Sequence, residues 1–470
     1  MVDSEREAIR ALTGAHDGAF WLEETEAPVF APPLGRHVEV DLVIVGAGFL
    51  GLWSAILAKE RFPEWEIAVV EGGRVGFGAS GRNGGFVDAS LTHGLENGLG
   101  RWPDEMVELE RLGGENLAAI ADFIGQHHID CEFMQTGAID VATDGWQLDG
   151  LEEYALTART FGHDTTVLDR REVQELVHSP VYEGGLWTTN RTALVNPAKL
   201  AWGLAGVASS LGVEIYEGTV VTGVTVIGGM VDVTTAQSGS LRSAKVILAT
   251  NAFPSLLPGV GNFIIPVYDY VLMTEPLTTS QMEAVGWDGR QGLSDLGNLF
   301  HYYRLTSDNR ILWGGYDAIY HYGSRISASY RLRSRTHLLL ARHFFETFPM
   351  LEGVRFTHAW GGAIDTSTRF SMFFGSRHQG KIQYALGFTG LGVGATRFAA
   401  EVLCARLEPK ESAFEHLGLV RTKPVPFPPE PLRSAAVAIT RRSLMRADAS
   451  EGHRNLWLRT LDRFGVGFDS

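Results

Sequence analysis

The most informative segment of the chain is Asp41-Leu-Val-Ile-Val-Gly46-Ala-Gly48-Phe-Leu-Gly51, an apolar run that ends in three closely spaced glycines. The apolar run is typical of a central parallel strand that is covered on both faces. Gly46 permits a tight turn, Gly48 lets the backbone approach a pyrophosphate, and Gly51 allows a helix to pack closely on the strand. The helix predicted over 52–61 would aim its free N–H groups and positive dipole end at that phosphate.

A second apolar strand, Ile67–Val70, is followed directly by an acidic residue, Glu71. An acidic side chain at this point of a βαβ unit can accept hydrogen bonds from a ribose diol. Glycine-rich turns are common, but a strand, a glycine turn, a helix and a second strand that ends in an acid form a specific combination. The sequence therefore predicts a dinucleotide site. The residues expected to contact the dinucleotide here are Gly46, Gly48, Phe49, Leu50, Gly51 and Glu71.

Length and composition limit the class of protein. A chain of 470 residues exceeds one ordinary hydrophobic core and indicates two or three domains. The composition, 45% hydrophobic and 20% charged, is typical of a globular protein. A formal net charge of −15 without a basic stripe argues against nucleic acid as a partner. The polar N-terminal sequence and the lack of a long apolar run predict a cytoplasmic protein without a membrane span.

The cysteines and histidines give no sign of a metal site or a disulfide framework. Only Cys131 and Cys404 are present, and they lie far apart in the sequence. Two distant cysteines exclude a Cys-x-x-Cys site and fit a reducing compartment. The histidines, among them His93, His127 and His128, lack the spacing of metal ligands. We therefore predict that the protein holds no metal.

Strand-like segments of the dinucleotide-binding type recur in separate parts of the chain. Lys245–Asn251 and Ile382–Phe388 read as further buried strands, and glycines and a helix follow the second one. The segments between them are aromatic and alternate in the manner of a separate sheet. The predicted organisation is an N-terminal arm (1–37) lying extended over the body, a dinucleotide-binding domain (38–90, 170–265 and 355–410), a second domain (91–169 and 266–354), and a C-terminal helical tail (411–470).

Motifs at distant points of the chain accompany the first glycine turn. They are Gly78-Ala-Ser-Gly-Arg-Asn-Gly-Gly85, Leu248-Ala-Thr-Asn251 and Gly387-Phe-Thr-Gly-Leu-Gly392. Together with the first turn and Glu71, they resemble the D-amino-acid oxidase superfamily of FAD enzymes. The loop 80–85 and the segments 303–315 and 358–364 are similar to its gamma-glutamylputrescine oxidase branch.

The resemblance implies an α/β fold in which a glutathione-reductase-type, Rossmann-like FAD-binding domain is interleaved with an antiparallel-sheet substrate domain. It implies that the helix after Gly387–Gly394 points its N-terminus at the flavin pyrimidine ring. Members of this family sometimes attach the flavin covalently through a cysteine near the segment that here reads 361–364. No cysteine lies there and no histidine directly follows Glu71, so we expect non-covalent FAD. Besides the residues of the first turn and Glu71, the expected FAD contacts are Gly78, Ala79, Ser80, Arg82, Asn83, Gly84, Gly85, Val221, Thr250, Asn251, Trp360, Gly390, Leu391, Gly392 and Val393.

The resemblance also implies a reaction. A hydride would leave the carbon that bears the nitrogen of an amine or amino acid and pass to flavin N5. The imine would hydrolyse to a carbonyl compound and ammonia or an amine, and dioxygen would reoxidise the flavin with release of hydrogen peroxide. The protein would position the C–H bond and keep the amine neutral.

A cluster of residues in the aromatic region is the expected substrate site. Its members are His301, Tyr302, Tyr303, Arg304 and Tyr316. An arginine can hold a carboxylate bidentately, and tyrosines can form an aromatic wall for an amine. The alternative interpretation is that these residues alternate as ordinary strand residues, half of them in the core.

The electron acceptor is a second open point. Sarcosine-type oxidases of this superfamily place a lysine beside flavin N5, and alignment on Gly314-Gly315 puts Trp313 at or near that position. The alternative enzyme is therefore a dehydrogenase that acts on a D-amino or N-methyl amino acid and uses another acceptor. The alternative of a different class is a non-catalytic flavin-binding redox sensor. The sequence leaves the oligomeric state open.

Overall fold

The computed structural model describes residues 2–408 and 412–466, in which two large β-sheets are surrounded by helices. The α-helices are Val2–Leu12, Phe20–Glu23, Phe49–Arg61, Leu95–Arg101, Met106–Gln126, Leu151–Thr160, Arg170–Leu176, Pro197–Ser210, Thr279–Val285, Ser334–Thr347, Gly392–Ala405, Gly418–Arg421, Leu432–Asp448 and Leu456–Arg463. The strands are His16–Asp17, His37–Val45, Ile67–Val70, Phe86–Asp88, Ala138–Ala142, Thr165–Asp169, Gly184–Thr188, Thr192–Leu194, Glu214–Tyr216, Val221–Ile227, Met230–Thr235, Ser240–Leu248, Ile264–Thr274, Gly292–Asp295, His301–Leu305, Ile311–Gly315, Ile319–Tyr320, Phe356–Ser367, Phe373–Arg377 and Ile382–Leu386. Short 3-10 turns are Ala79–Gly81, Pro103–Glu105, Gly145–Leu148, Val260–Phe263, Ala328–Tyr330 and Pro349–Leu351.

The first sheet is parallel at its centre and is built around His37–Val45. That strand pairs with Ser240–Leu248 on one side and with Ile67–Val70 on the other. Glu214–Tyr216 extends the sheet beyond Ile67–Val70, and Ile382–Leu386 pairs in parallel with the end of Ser240–Leu248. The first sheet is thus assembled from strands in separate parts of the chain: 37–45 and 67–70, 214–248, and 382–386.

Both faces of the central strand are buried. Leu42 and Ile44 pack into the core formed with the helices, whereas Val43 and Val45 pack into a second core with the antiparallel strands 221–235. The continuous apolar run follows from this arrangement, since neither face of the strand contacts water. The prediction of a central parallel strand is confirmed.

The first glycine turn is built as the spacing predicts. Gly46 has a backbone φ of +110°, which a side chain would strain. A Cβ atom at Gly51 would lie 1.8 Å from the carbonyl oxygen of Gly46, so the helix Phe49–Arg61 approaches the strand too closely for any side chain there. The helix begins at Phe49, three residues earlier than the sequence predicted, because Gly48 already serves as its N-cap.

The second sheet is mostly antiparallel and packs its outer face against the helix Ser334–Thr347. Two of its strands lie inside segments that were predicted for the first domain. Gly184–Thr188, within 170–265, pairs with Ala138–Ala142, and Phe356–Ser367, within 355–410, pairs with Ile264–Thr274. These two strands therefore belong to the second sheet and not to the first domain. The boundaries differ because an alternating apolar pattern identifies a strand but not the strand with which it pairs. The α/β class, with a parallel and an antiparallel sheet, is confirmed.

The two ends of the chain are largely helical. The N-terminal arm was expected to be extended, but Val2–Leu12 is a helix that buries Ala8 and Ala11 against Ser334–Thr347. The extended arm was predicted from its prolines, which all lie after this helix and therefore say nothing about residues 2–12. Near the C-terminus the chain forms the helices Leu432–Asp448 and Leu456–Arg463, and the boundary proposed for the tail at 410/411 lies outside the described residues. In the described part of the chain, no helix combines the length and apolarity needed to cross a bilayer.

Gly51 offers a test of the close packing of helix on strand. Gly51→Ala should lower the free energy of unfolding by about 3 kcal/mol, because the new methyl group overlaps a backbone carbonyl that cannot move freely. The matched control is Gly206→Ala in the helix Pro197–Ser210, where a Cβ atom would meet nothing within 4 Å. The control should raise stability by about 0.5–1 kcal/mol. Urea unfolding of both variants makes the comparison, and equal stabilities would contradict the packing described.

Candidate active site

A cavity of about 1490 Å³ lies between the carboxyl ends of the parallel strands and one face of the antiparallel sheet. Its walls are formed by both glycine turns, the loop 78–85, the antiparallel sheet and the C-terminal tail. The volume exceeds the roughly 300–1000 Å³ of an ordinary ligand pocket. The cavity therefore has room for a dinucleotide and a second small molecule.

One end of the cavity is the N-terminus of the helix Phe49–Arg61. The cap residue, Gly48, provides no side-chain hydrogen bond, and Gly48, Phe49 and Leu50 all line the cavity. The Ser80 hydroxyl accepts a hydrogen bond from the Phe49 N–H at 2.9 Å and so ties the loop 78–85 to this turn. The exposed N–H groups and the helix dipole make this end suited to a phosphate.

Glu71 stands beside the same turn and holds its backbone. The carboxylate accepts hydrogen bonds from the N–H groups of Ala47 and Gly73, each at 2.8 Å. Burial raises the pKa of Glu71, and these two N–H donors act in the opposite direction. A carboxylate has about four acceptor positions, so two backbone bonds leave acceptor capacity for a ribose hydroxyl.

The loop 78–85 is held in place by side chains from outside it, which donate hydrogen bonds to its backbone carbonyl groups. The Trp21 indole N–H donates to the carbonyl of Asn83, and the Trp360 indole N–H donates to the carbonyl of Arg82, each at 2.9 Å. The Arg304 guanidinium donates to the carbonyl of Gly85 at 3.3 Å and to that of Val195 at 2.6 Å. Three large side chains from outside the loop therefore fix its path along the cavity.

The second glycine turn forms another part of the cavity wall. The helix Gly392–Ala405 begins without a side-chain cap, and residues 390–393 line the cavity. The Asp365 carboxylate accepts a hydrogen bond from the Gly387 N–H at 2.6 Å, and burial raises the pKa of Asp365 to about 7. A Cβ atom at Gly394 would lie 2.2 Å from the carbonyl oxygen of Asp88, so this helix packs tightly on the strand that follows the loop.

Most of the residues predicted to contact the cofactor border this one cavity. They are Gly46, Gly48, Phe49, Leu50, Glu71, Gly78, Ala79, Ser80, Arg82, Asn83, Gly84, Val221, Thr250, Asn251, Gly390, Leu391, Gly392 and Val393. Three others, Gly51, Gly85 and Trp360, lie behind the wall, where they pack the helix or hold the loop. Their role in the site is to support the groups that line it.

The residues predicted for catalysis divide between the two faces of the antiparallel sheet. Tyr316 lines the cavity. Tyr303 and Trp313 are about 1% exposed and pack in the core on the other face, where the Tyr303 hydroxyl contacts the Tyr182 hydroxyl at 2.7 Å. His301 stacks behind Tyr316 and bonds to Asp295 at 2.6 Å. Strand alternation gives this division, since odd-numbered residues of 301–305 face away from the cavity.

Arg304 faces the cavity side but is not a free anion anchor. It is 0% exposed, and its Nη1 atom donates to the backbone carbonyls of Gly85 and Val195. Burial lowers the pKa of Arg304 to about 10. The predicted substrate contact is therefore replaced by a role in fixing the loop, because a buried guanidinium binds the nearest carbonyl oxygens available.

The sequence analysis missed three carboxylates on the cavity wall. Asp88, Asp140 and Asp269 lie on three different strands and all line the cavity. A usable signal was present for Asp269, since it is the one charged residue in the apolar and aromatic strand Ile264–Thr274. The tail residues Arg441, Leu444 and Trp457, which close the cavity, carried no such signal. Within 2–408 and 412–466, no three His, Cys, Asp or Glu side chains converge as metal ligands.

The fold and cavity define the class of protein: a dinucleotide-dependent enzyme with a parallel cofactor sheet and an antiparallel sheet opposite it. The family model described as "DAO: FAD dependent oxidoreductase" matches residues 41–406. The chain belongs to this family of FAD-dependent oxidoreductases, which confirms the family and cofactor predicted from the sequence. The two helix N-termini and the glycine turns before them fit FAD, because neither N-cap residue caps its helix with a side chain and both turns line the cavity.

Several known proteins are similar to the chain. It is 30% identical to "Probable oxidoreductase OrdL" of Haemophilus influenzae, over 86% of this chain and 91% of that protein. It is 29% identical to "Gamma-glutamylputrescine oxidoreductase" of Escherichia coli, over 84% of this chain and 89% of that protein. The solved glycine oxidase of Geobacillus kaustophilus superposes with a TM-score of 0.65 at 21% identity, covering 83% of this chain and 100% of that one. These relatives are consistent with the predicted branch.

The hydrogen bond from Trp360 to the loop provides a test of how the FAD site is held. Trp360→Phe keeps a ring but removes the N–H that fixes the Arg82 carbonyl, and should raise the Kd for FAD about fivefold to tenfold. Titration of the apoprotein with FAD measures this change. Trp65→Phe is the control, since Trp65 stacks on Phe62 outside the cavity. An unchanged Kd for Trp360→Phe would contradict the role assigned to the loop.

Proposed function

We propose that the protein oxidises the carbon–nitrogen bond of an amine, releases a carbonyl compound and ammonia or an amine, and passes the electrons to dioxygen. The observation that carries this proposal is the chemistry of the wall opposite the loop 78–85. That wall presents carboxylates and tyrosine rings to the space that a dinucleotide would leave free.

The carboxylates of this wall have neutral hydroxyl groups as partners. Asp88 accepts a hydrogen bond from Thr192 at 2.6 Å, and Asp140 accepts one from Ser294. Burial raises the pKa of Asp88, and it raises the pKa of Asp140 to about 6. A buried carboxylate gains most from a nearby positive charge, so this wall favours a substrate that carries an ammonium group.

Two basic side chains that line the same space are paired with carboxylates: Arg191 bonds to Glu110, and Arg441 bonds to Asp317. Arg82 also lines the cavity, where it donates to the carbonyl of Phe77 and its guanidinium lies over the Phe77 ring. The Arg304 guanidinium, the predicted carboxylate anchor, lies behind the loop. Near Asp88 and Asp140, a substrate carboxylate would meet other carboxylates, and like charges in a buried site repel. This argument favours amines over amino acids as donors.

The tyrosine rings and the tail supply an apolar boundary. Tyr302 and Tyr316 line the cavity, and an ammonium group is attracted to the face of an aromatic ring. The tail buries Leu444 and Leu458 against Leu299, and Asp448 accepts a hydrogen bond from the Asn298 N–H at 2.8 Å. These contacts hold the tail against one side of the cavity, where it limits the access of water.

Bound FAD supplies the oxidant for such a bond by accepting a hydride. The work of the chain's own residues is to hold the amine against the wall, to orient its C–H bond and to exclude water. Among the relatives named above, the E. coli gamma-glutamylputrescine oxidoreductase has the name that agrees best with an amine donor.

We also propose that FAD is bound without a covalent link in a cytoplasmic protein. Cys131 and Cys404 are buried free thiols outside the cavity, and burial raises the pKa of each to about 12. Precipitation of the purified protein with trichloroacetic acid should therefore leave the yellow cofactor in the supernatant. Colour retained by the washed pellet would contradict this proposal.

A matched pair of substrates tests the donor class. Under anaerobic conditions, pentylamine should bleach the flavin absorbance of the holoprotein at least ten times more efficiently than norleucine, which differs by an α-carboxylate. The physical reason is the repulsion between that carboxylate and the acidic wall. Efficiency is the second-order rate constant from stopped-flow traces. A preference for norleucine would contradict an amine donor.

The same experiment also tests whether dioxygen is the electron acceptor and whether the protein is a catalyst at all. A wider panel adds diamines, N-methylated amines, sarcosine and both enantiomers of alanine. After reduction by any of them, admission of air should restore the colour and release an equal amount of hydrogen peroxide. Slow reoxidation would indicate a dehydrogenase with another acceptor. A flavin that no donor bleaches would favour a redox sensor.

A further inference from the structure

We propose that Asp269 and Tyr302 act as a pair that takes the proton from the substrate's ammonium group, so that the amine is neutral when it is oxidised. Asp269 is the proton acceptor, and Tyr302 positions its carboxylate. This inference rests on the proposed oxidation of an amine and assigns residues to one step of it.

The two side chains meet at the cavity wall. Tyr302 lies on His301–Leu305 and Asp269 on Ile264–Thr274, with Ile311–Gly315 between these strands. The Tyr302 hydroxyl donates a hydrogen bond to the Asp269 carboxylate across that strand. Both residues line the cavity, whereas their sequence neighbours Tyr270 and Tyr303 pack in the core behind the sheet.

Glycines leave the space that the Tyr302 ring occupies. A Cβ atom at Gly84 would lie 2.6 Å from the ring, and one at Gly314 would lie 2.7 Å from it. Gly84 belongs to the loop predicted to pass the flavin, so the ring of Tyr302 is held between that loop and the adjacent strand. The edge of the ring also meets Phe86, with centroids 5.9 Å apart. The position of this phenol is therefore fixed beside the cofactor part of the cavity.

The surroundings of Asp269 leave one side of its carboxylate open to the cavity. Gly362 stands opposite it on Phe356–Ser367 and contributes no side chain, and the stem of Arg82 packs over Gly362. Backbone N–H groups of Tyr270 and Gly315 also donate to Asp269.

Few other charged or titratable groups face Asp269. Tyr302 and His301 come from His301–Leu305, two strands away, Tyr316 follows Gly315, and Arg82 approaches from the loop beyond Gly362. Burial raises the pKa of Asp269 to about 6, and the hydrogen bond from Tyr302 lowers it. Asp269 is therefore ionised at neutral pH and ready to accept a proton.

The proton transfer breaks an N–H bond of the ammonium group and forms an O–H bond on Asp269. In water an alkylammonium ion, with a pKa of about 10.4 like lysine, would keep its proton. Burial disfavours both charged groups, so it raises the pKa of the carboxyl and lowers that of the ammonium. A positioned base of this kind contributes about 10²–10⁴-fold to a rate.

The test is the pH dependence of anaerobic flavin reduction by saturating pentylamine, or by the best donor of the panel above. For the wild type, the rate should rise as Asp269 ionises. Asp269→Asn should lower the rate at pH 7 at least 100-fold, and the loss should shrink toward pH 10, because solution then supplies neutral amine. Tyr302→Phe should move the rising limb to higher pH, because the bond that lowers the pKa of Asp269 is lost.

A matched control separates this role from the general acidity of the wall. Asp140→Asn removes a cavity carboxylate that has no bond to Tyr302, so its rising limb should stay where the wild type has it. Profiles of Asp269→Asn and wild type that run parallel at all pH values would overturn the proposal. A Tyr302→Phe limb that does not move would overturn the positioning role of the phenol.

A binding measurement gives a readout that does not depend on turnover. tert-Butylamine has no hydrogen on the carbon that bears its nitrogen, so it binds without being oxidised. Calorimetric titration should show that its affinity for the wild-type holoprotein rises between pH 5 and 8, and that Asp269→Asn binds at least tenfold more weakly at pH 8 without this rise. Equal affinities would reject Asp269 as the partner of the ammonium group. If no donor reduces the wild type, the proposed function itself fails, and the proton-transfer role fails with it.

Discussion

The hydrogen bonds that fix the carbonyl groups of the loop 78–85 connect the cofactor part of the cavity to the antiparallel sheet opposite it. Three side chains from outside the loop donate to its carbonyl groups: the Trp360 indole to Arg82, the Trp21 indole to Asn83 and the Arg304 guanidinium to Gly85. Ser80 then ties the loop to the helix Phe49–Arg61, whose N-terminus faces the cavity. With the loop in place, its glycines can approach the cofactor and Tyr302 closely. A loop that moved would separate the cofactor end of the cavity from the wall that contacts the substrate.

This arrangement has an energetic cost that shows in the structure. Arg304 is completely buried, and its Nη2 atom has no hydrogen-bond partner among the described residues. Two helices begin at the cavity without a cap from their own N-cap side chain, and Asp88, Asp140 and Asp269 line its wall. The helix ends and the carboxylates disfavour the empty folded state, and ligands of matching charge would relieve them: phosphate or reduced flavin at the helix ends and, under the function proposed above, an ammonium group at the carboxylates.

Most residues predicted for the cofactor border one cavity, because that half of the site depends on backbone. Gly46, Gly51 and Gly84 are required by close approaches that no other residue permits, so their spacing carries the geometry directly. The substrate half depends on which strands pair and which face each residue takes. Tyr303 and Trp313 were therefore assigned to the site although they lie in the core, and Asp269 was overlooked although it lines the cavity. Arg304 was predicted to hold a substrate carboxylate, and only the fold reveals that it donates to the carbonyls of Gly85 and Val195.

The most direct measurement is a crystal structure of the purified protein with its flavin. The pyrophosphate should lie against the N–H groups at the start of Phe49–Arg61, and the pyrimidine end of the flavin against the start of Gly392–Ala405. The flavin ring should lie between the loop 78–85 and the wall that carries Asp269 and Tyr302. Density for the flavin ring on the other side of the loop, or for a pyrophosphate away from Gly48, would contradict the account given for both halves of the site.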